Sequence, residues 1–542
     1  MLRGLVLWCV AILVPATVSR AETPSREPVA VAYLSSLDGT LNDVEYIVTA
    51  GGRPELATMI RGFVTNLNNL EGIDRTKPIG VYAFVPVDLT SGNKDPDIVA
   101  FIPVTNVEAL QKTAHLSNVL SLEGTDKADR YEFKTPEKTF AVQVQSGHAF
   151  LAEKGELLDT ALPMPEPLTS SMAGSYDLVV QVRREGVPRF LWDLVMFGAA
   201  GELDKQVQKL KKETSPEKQA ELQATQIARS VTLATLTEVK SAWIGLNISQ
   251  ESKTAQIDLK LQFADSGKVG TSLLKLVDGP SPLASSAADA AGSLHLRAQL
   301  PSDLTKLAAE GIRIAREKKD PLADIPETHR SSVAQVLEAL TQTVEQGQAD
   351  VLLQFAGEPQ TGMTVVAGIH VADGEKLADS LAKLLPEAAG SDKVEAVTLD
   401  AGTARGVKFA RIDGQDSGGK EEQFYGGKPS LYIGIQPDTV WLLVGDADAL
   451  SDFESLETAG SSRTSDGNLV EAQLHLSDWL GLLGQAQDQK TRDFTDAARI
   501  AIKDPDHDAI SFTVRPESDG LKFSLKLDEV YLSLIGASVG KE

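Results

Sequence analysis

The densest group of metal-capable side chains is Asp504-Pro505-Asp506-His507-Asp508, where carboxylates at alternating positions suit calcium and the imidazole would suit zinc. The calcium-loop template then fails. Its sixth position is Ala509, where a glycine makes the turn, and its twelfth is Arg515, where a bidentate glutamate should sit. A turn between a helix and a strand uses the same letters, and Asp95-Pro96-Asp97 has less of the pattern still. The seven histidines, at 115, 148, 295, 329, 370, 475 and 507, include no pair at the i, i+4 spacing of a helical zinc site. The one cysteine, Cys9, lies in the first apolar run, so the rest of the chain has no thiolate.

Three other motifs carry nucleophile or phosphate chemistry elsewhere. Gly536-Ala537-Ser538-Val539-Gly540 fits G-x-S-x-G, but that chemistry needs an acid and a histidine further along the chain, and only two residues follow. It reads as a frayed tail. Gly414–Lys420 has the spacing of a phosphate-binding loop, yet Glu421 and Glu422 stand where a serine or threonine should hold magnesium, and Phe409–Asp413 reads as a hairpin strand. A flexible loop fits better. Ser215-Pro216-Glu217-Lys218 matches S-x-x-K without its companion elements, and serine as a helix cap with proline in the first turn explains the same letters. Trp192, Trp243, Trp441 and Trp479 fall at apolar-periodic positions and read as core. No catalytic, cofactor-binding or metal-binding residue is assigned, and no cofactor is implied.

The elements that would position such groups are more legible. Ile510, Phe512 and Val514, then Leu521, Phe523, Leu525 and Leu527, alternate with polar residues, the mark of a half-buried antiparallel hairpin. The pattern recurs at Ile244–Ile248 with Ile257–Phe263, at Val351–Phe355 with Met363–Ile369, and at Ile79–Val85 with Ile98–Val104. Each hairpin precedes a helix that starts at a polar residue, seen in Asn106, Asp265, Asp373 and Asp528, which are read as caps. Leading strands end in a helix start at Pro301-Ser302-Asp303 and Ser477-Asp478, and more loosely after Leu178–Val182. Helical stretches are expected at 202–238, 303–346 and 487–503, broken at Pro216 and Pro326. Only the first module lacks such a start: Glu45–Thr49 with Gly51-Gly52 reads as a strand and turn.

The expected fold is therefore α+β, a tandem duplication of four strand-helix-hairpin-helix modules with antiparallel sheets packed against helices. Extra hairpins at Tyr131–Leu151 and Val407–Val444 follow the first and third modules, so the larger unit is a pair. The halves are placed at 28–279, with modules of about 28–165 and 176–279, and at 292–536, with modules of about 292–460 and 467–536. Residues 280–292, small and polar, form the expected linker.

Arg3, the apolar run Leu5–Val14 and Ser19-Arg20-Ala21 have the order of a secretory signal peptide over 1–21, and no later stretch is long enough to span a bilayer. Its removal would take the 52 basic residues to 50 against 76 acidic ones, a net charge of −26. That field repels nucleic acid and anionic lipid. The modular pattern resembles the duplicated domains of exported bacterial proteins in families of unknown function, over most of the mature chain. The resemblance implies a secreted α+β repeat protein, periplasmic or released, and carries over no catalytic residue. The expected function is a non-catalytic binding or interaction module for a protein, an envelope polymer or an apolar ligand. The alternatives are a hydrolase whose site is assembled from distant residues in one half, and a carrier of apolar ligands.

Overall fold

The computed structural model describes residues 26–538 apart from 87–94, 117–119, 213–214, 265–266, 278–280, 282, 284–289, 303, 307, 310–311, 314–326, 359–361, 390–393, 415–419, 457–466, 485–487 and 505–506. The proposed signal segment and much of the proposed linker lie outside these residues. The fold is mixed helix and antiparallel sheet, as expected. Contacts divide the chain into two compact units: residues up to Ala200 with Thr235–Ala264 and from Lys526 onward, and Gly201–Ala234 with Asp265–Leu525.

The first unit contains β1 (Ala30–Leu34), β2 (Ile79–Phe84), β3 (Asp97–Pro103), β4 (Ser121–Gly124), β5 (Arg130–Lys134), β6 (Thr139–Gln145), β7 (His148–Ala152), β8 (Leu178–Arg183), β9 (Val239–Ser249) and β10 (Thr254–Phe263). Their pairings run β4-β5-β6-β7-β3-β2-β1-β8-β9-β10, all antiparallel. The second unit has β11 (Gly292–Gln299), β12 (Gln348–Glu358), β13 (Gly362–His370), β14 (Val394–Ala404), β15 (Val407–Gly414), β16 (Ser430–Gln436), β17 (Thr439–Gly445), β18 (Val470–His475), β19 (Ala509–Glu517) and the start of β20 (Gly520–Asp528). Its order is β14-β15-β16-β17-β13-β12-β11-β18-β19-β20, the same threading again. The leading strands β1 and β8, like β11 and β18, are direct neighbours, so the strands read as two modules share one sheet.

Alternation along these strands separates two faces, because directly opposed residues project to the same side. In the first unit, Val31, Tyr33, Tyr82, Phe84, Val99, Phe101, Phe150 and Val179 form the main core. In the second, Leu352, Val366, Phe409, Tyr432, Trp441, Leu443 and Phe453 do the same. The opposite faces are apolar too. One continuous rung reads Leu151–Ala100–Val81–Ala32–Val180–Ile244–Leu259, and another Ile435–Val440–Ile369–Val351–Leu296–Val470–Val514. Helical segments shield part of each: Leu110 and Ala114 pack by Leu151, and Val187, Leu191 and Trp192 by Ala30, Ala83 and Val182, while Val336, Ala339, Leu377 and Leu381 pack by Val440 and Leu442.

The hairpins lie where alternation places them, but the more deeply buried side is the other one. Ile98, Ile244, Ile257, Ile369 and Phe512, all on the apolar alternate positions, are 36–39% exposed, whereas Asp258 and Asp350, on the polar ones, are 0% and 1% exposed. Period-two patterning shows that two faces differ; what is packed on each decides which is closed.

The opening of the first module differs from the sequence reading. Leu37–Ala50 is a helix that includes Glu45–Thr49, and it is capped by Ser36, whose Oγ accepts from Gly39 N, with Asp38 in its first turn. The strand β1 precedes this helix, which has Ser36 and Asp38 at its start. Tertiary packing overrides the weak strand preference of Ile47, Val48 and Thr49. Of the caps, Asn106 and Asp373 accept from the amides of Ala109 and Lys376 as expected. The helix Leu476–Leu483 is different, since the amide of Ser477 is taken by the Asp508 carboxylate 31 residues on. Gly536 is not frayed: it is buried in the helix Glu529–Ser538, against the backbone of Ile47 and Gly51, where a Cβ would not fit. In the segment read as a linker, Leu283, Ala290 and Ala291 are buried, Leu283 and Ala290 within the second core.

Candidate functional site

Polar groups gather in five places, two in the second unit and three in the first, and an apolar surface stays open on each sheet. In the second unit, β11 presents Ser293, His295 and Arg297 on the core side, opposed on β12 by Gln354, Leu352 and Asp350. His295 Nε2 lies 2.7 Å from Asp350 Oδ1, and Ser281 Oγ donates to Asp350 Oδ2 at 2.5 Å. Activation of a serine needs imidazole between hydroxyl and carboxylate. Here the carboxylate is in the middle, so Ser281 spends its proton on Asp350, and the trio braces the chain before β11 onto β11 and β12.

A second pair lies beyond it. His475 Nδ1 is 3.0 Å from Asp508 Oδ1, Gln473 Nε2 is 2.9 Å from His475 Nε2, and Asp508 Oδ2 accepts from Ser477 N at 2.6 Å. This assigns Nδ1–H to the carboxylate and leaves Nε2 to accept from the amide. Burial pushes the Asp508 carboxyl upward, but the hydrogen bonds from His475 and Ser477 outweigh it and hold the group below its ordinary value. Both pairs are closed networks in which each carboxylate already has its donors.

The first unit buries carboxylates in other company. Tyr176 lies over Gly245, where any Cβ would strike its ring, and its hydroxyl donates to Asp258 Oδ2 at 2.6 Å, with Gln256 Nε2 at 3.0 Å from both oxygens. Asp97 is held by Arg26 at 3.1 Å and Lys154 at 2.8 Å. Asp43 is different. It sits on the helix Leu37–Ala50, is 7% exposed, and its Oδ2 is buried without a well-formed hydrogen bond. Burial first, then the neighbouring charge of Asp177, push its carboxyl up to about 6, with Gln250 opposing.

The open surface is the apolar sheet face described above. In the second unit Leu296 is 39% exposed, and Ile369 and Phe512, two strands away on either side, are both 37%. In the first, Ile98, Ile244 and Ile257 are similarly open. Buried and open apolar residues thus lie on one continuous surface in each sheet.

Of the residues singled out from sequence, Asp504 and His507 stand 3.9 Å apart, Asp506 lies outside the described residues, and Asp508 faces His475 instead. Among the described residues no group of three or more histidine, cysteine, aspartate or glutamate side chains could hold a metal ion. Ser215 Oγ accepts from Lys218 N, and Lys218 Nζ pairs with Glu221. Residues 415–419 of the loop at 414–420 lie outside the description, and a short helix, Lys420–Tyr425, follows. Trp192, Trp243 and Trp441 join cores, and Trp479 Nε1 donates to Ala291 O. Sequence reasoning missed Asp43, Asp177, Asp258 and Asp350. The available signal was a carboxylate within each of two strands, at Asp258 and Asp350, which alternation assigns to solvent.

Comparison of the chain with family models, curated proteins and solved structures gives no match. Among the described residues no helix is long and apolar enough to cross a membrane.

Proposed function

We propose that this is an exported, non-catalytic binding protein that receives a flexible apolar ligand on the open apolar faces of its sheets. One observation carries the reading: the rungs bearing Ile98, Ile244, Ile257, Leu296, Ile369 and Phe512 are apolar across neighbouring strands, yet these residues stay more than a third exposed. Contiguous apolar surface of this kind marks a place of contact, because leaving it wet costs about 25 cal/mol for each Å². The order of pairings, the same in both units, supports descent of the whole from a doubled unit of paired modules. The first 21 residues support export to the periplasm or beyond.

The test is an organic extract of the purified protein examined by mass spectrometry, with titration of a fluorescent apolar probe. Leu296→Asp and Phe512→Asp should each weaken probe binding at least tenfold while circular dichroism stays unchanged. Unchanged probe affinity and an extract free of apolar compounds would overturn the reading, and turnover of an ester, peptide, glycoside or phosphate substrate would overturn its non-catalytic part. The rival hydrolase has one specific observation in its favour, the buried carboxyl of Asp43 with its raised pKa. It predicts turnover that Asp43→Asn abolishes.

A further inference from the structure

At one end of the first sheet, a helix, a strand and a hairpin meet around a single carboxyl. Asp43 projects from the helix Leu37–Ala50. Asp177 precedes β8 and is anchored: its Oδ2 accepts from Ile248 N at 2.7 Å, its amide donates to Leu246 O, and its carbonyl accepts from Ser35 N. Gln250, in the turn joining β9 to β10, donates from Nε2 to Asn42 O at 3.3 Å and lies against the Asp43 carboxyl. Asp43 and Asp177 therefore meet where the Asp43 carboxyl is buried and its Oδ2 has no hydrogen-bond donor.

Cations on the elements beside this helix pair with other carboxylates. From the helix Pro54–Asn66, Arg61 makes a bidentate pair with Glu45. From the segment before β2, Arg75 pairs with Asp38. From the β9–β10 turn, Lys253 pairs at 3.0 Å with Glu529 of the helix Glu529–Ser538. Tyr46, on the same helix as Asp43, has a buried hydroxyl without a hydrogen bond.

We propose that Asp43 and Asp177 form a proton-operated latch, in which one shared proton holds the helix Leu37–Ala50 against the segment before β8 and its loss loosens that helix. The sign follows from linkage. Asp43 titrates near 6 in the closed form, above its ordinary value of 3.8, so the closed form binds the proton more tightly than the open one. The latch is fully closed below about pH 4, and its contribution is lost as pH rises through 6. The proposal is independent of the apolar-ligand reading, since it concerns one helix in one unit.

Hydrogen exchange resolved by mass spectrometry, corrected for the intrinsic pH dependence of exchange, tests it. Peptides covering 37–50 should show local opening that rises at least tenfold between pH 4.5 and pH 7.5, while the β2–β3 core stays level. Asp43→Asn should remove that rise. Asp177→Asn, which takes away the neighbouring charge, should move its midpoint to lower pH. A flat profile in the unaltered protein, or a rise that survives in both variants, would overturn the latch. So would loss of the rise on adding millimolar calcium, because a cation and not a proton would then be joining the pair.

Discussion

The buried carboxylates of the two units have different partners although their strands are threaded in one order. In the second unit Asp350 has His295 and Ser281, and Asp508 has His475 and the Ser477 amide. In the first, Asp258 is served by Tyr176 and Gln256, while Asp43 meets Asp177. The positions differ as well: Asp350 is on β12 and Asp508 lies just before β19, whereas Asp258 is on β10 and Asp43 is on the helix after β1, so a shared strand order fixes neither where buried carboxylates meet nor the chemistry done there. The donor set decides the charge: imidazole and amide donors favour an ionised carboxylate, whereas a second carboxylate in a dry site favours a proton.

The widest test of the likeness between units lies in their cores. Phe101 and Phe409 are both fully buried, so Phe101→Ala and Phe409→Ala should each cost about 3–5 kcal/mol in urea denaturation. A large inequality would show that the two cores are not packed alike. The polar contrast comes next. Asp508→Ala strands the Nδ1–H of His475 and the Ser477 amide and should cost about 2–4 kcal/mol. Because the folded Asp508 titrates below its ordinary value, its contribution is complete above about pH 4 and disappears as pH falls through the lowered folded value. That slope is opposite to the one expected for Asp43, and pH-dependent melting of the two variants should separate them. Smallest are the single hydroxyls: Tyr176→Phe and Ser281→Ala each remove one donor to a buried carboxylate and should cost about 1–2 kcal/mol, measured by the shift of the urea midpoint.

The hairpins were legible because alternation is local: Val351–Phe355 and Met363–Ile369 display it without help from the rest of the chain. The helix start at Ser36 was equally local, and the apolar run Val29–Leu34 before it was the sign that went unread. The candidate sites were not legible in the same way. Asp43 meets Asp177 across 134 positions, and Ser281 meets Asp350 across 69. No spacing rule spans such distances. Even the cap of the helix Leu476–Leu483 escaped, since its acceptor comes from Asp508 and the adjacent Ser477 supplies the donor.

Composition and periodicity, acting over a few residues, were sufficient for the class of fold, the main hairpins, most helices and the acidic character of the chain. Tertiary structure alone decided that β1 lies beside β8 and β11 beside β18, and which sheet face is closed. It also set which carboxylates receive a histidine, a tyrosine or another carboxylate. The reason is physical: backbone preference and alternation depend on neighbouring residues, whereas burial and pairing depend on which distant segment arrives to cover a surface.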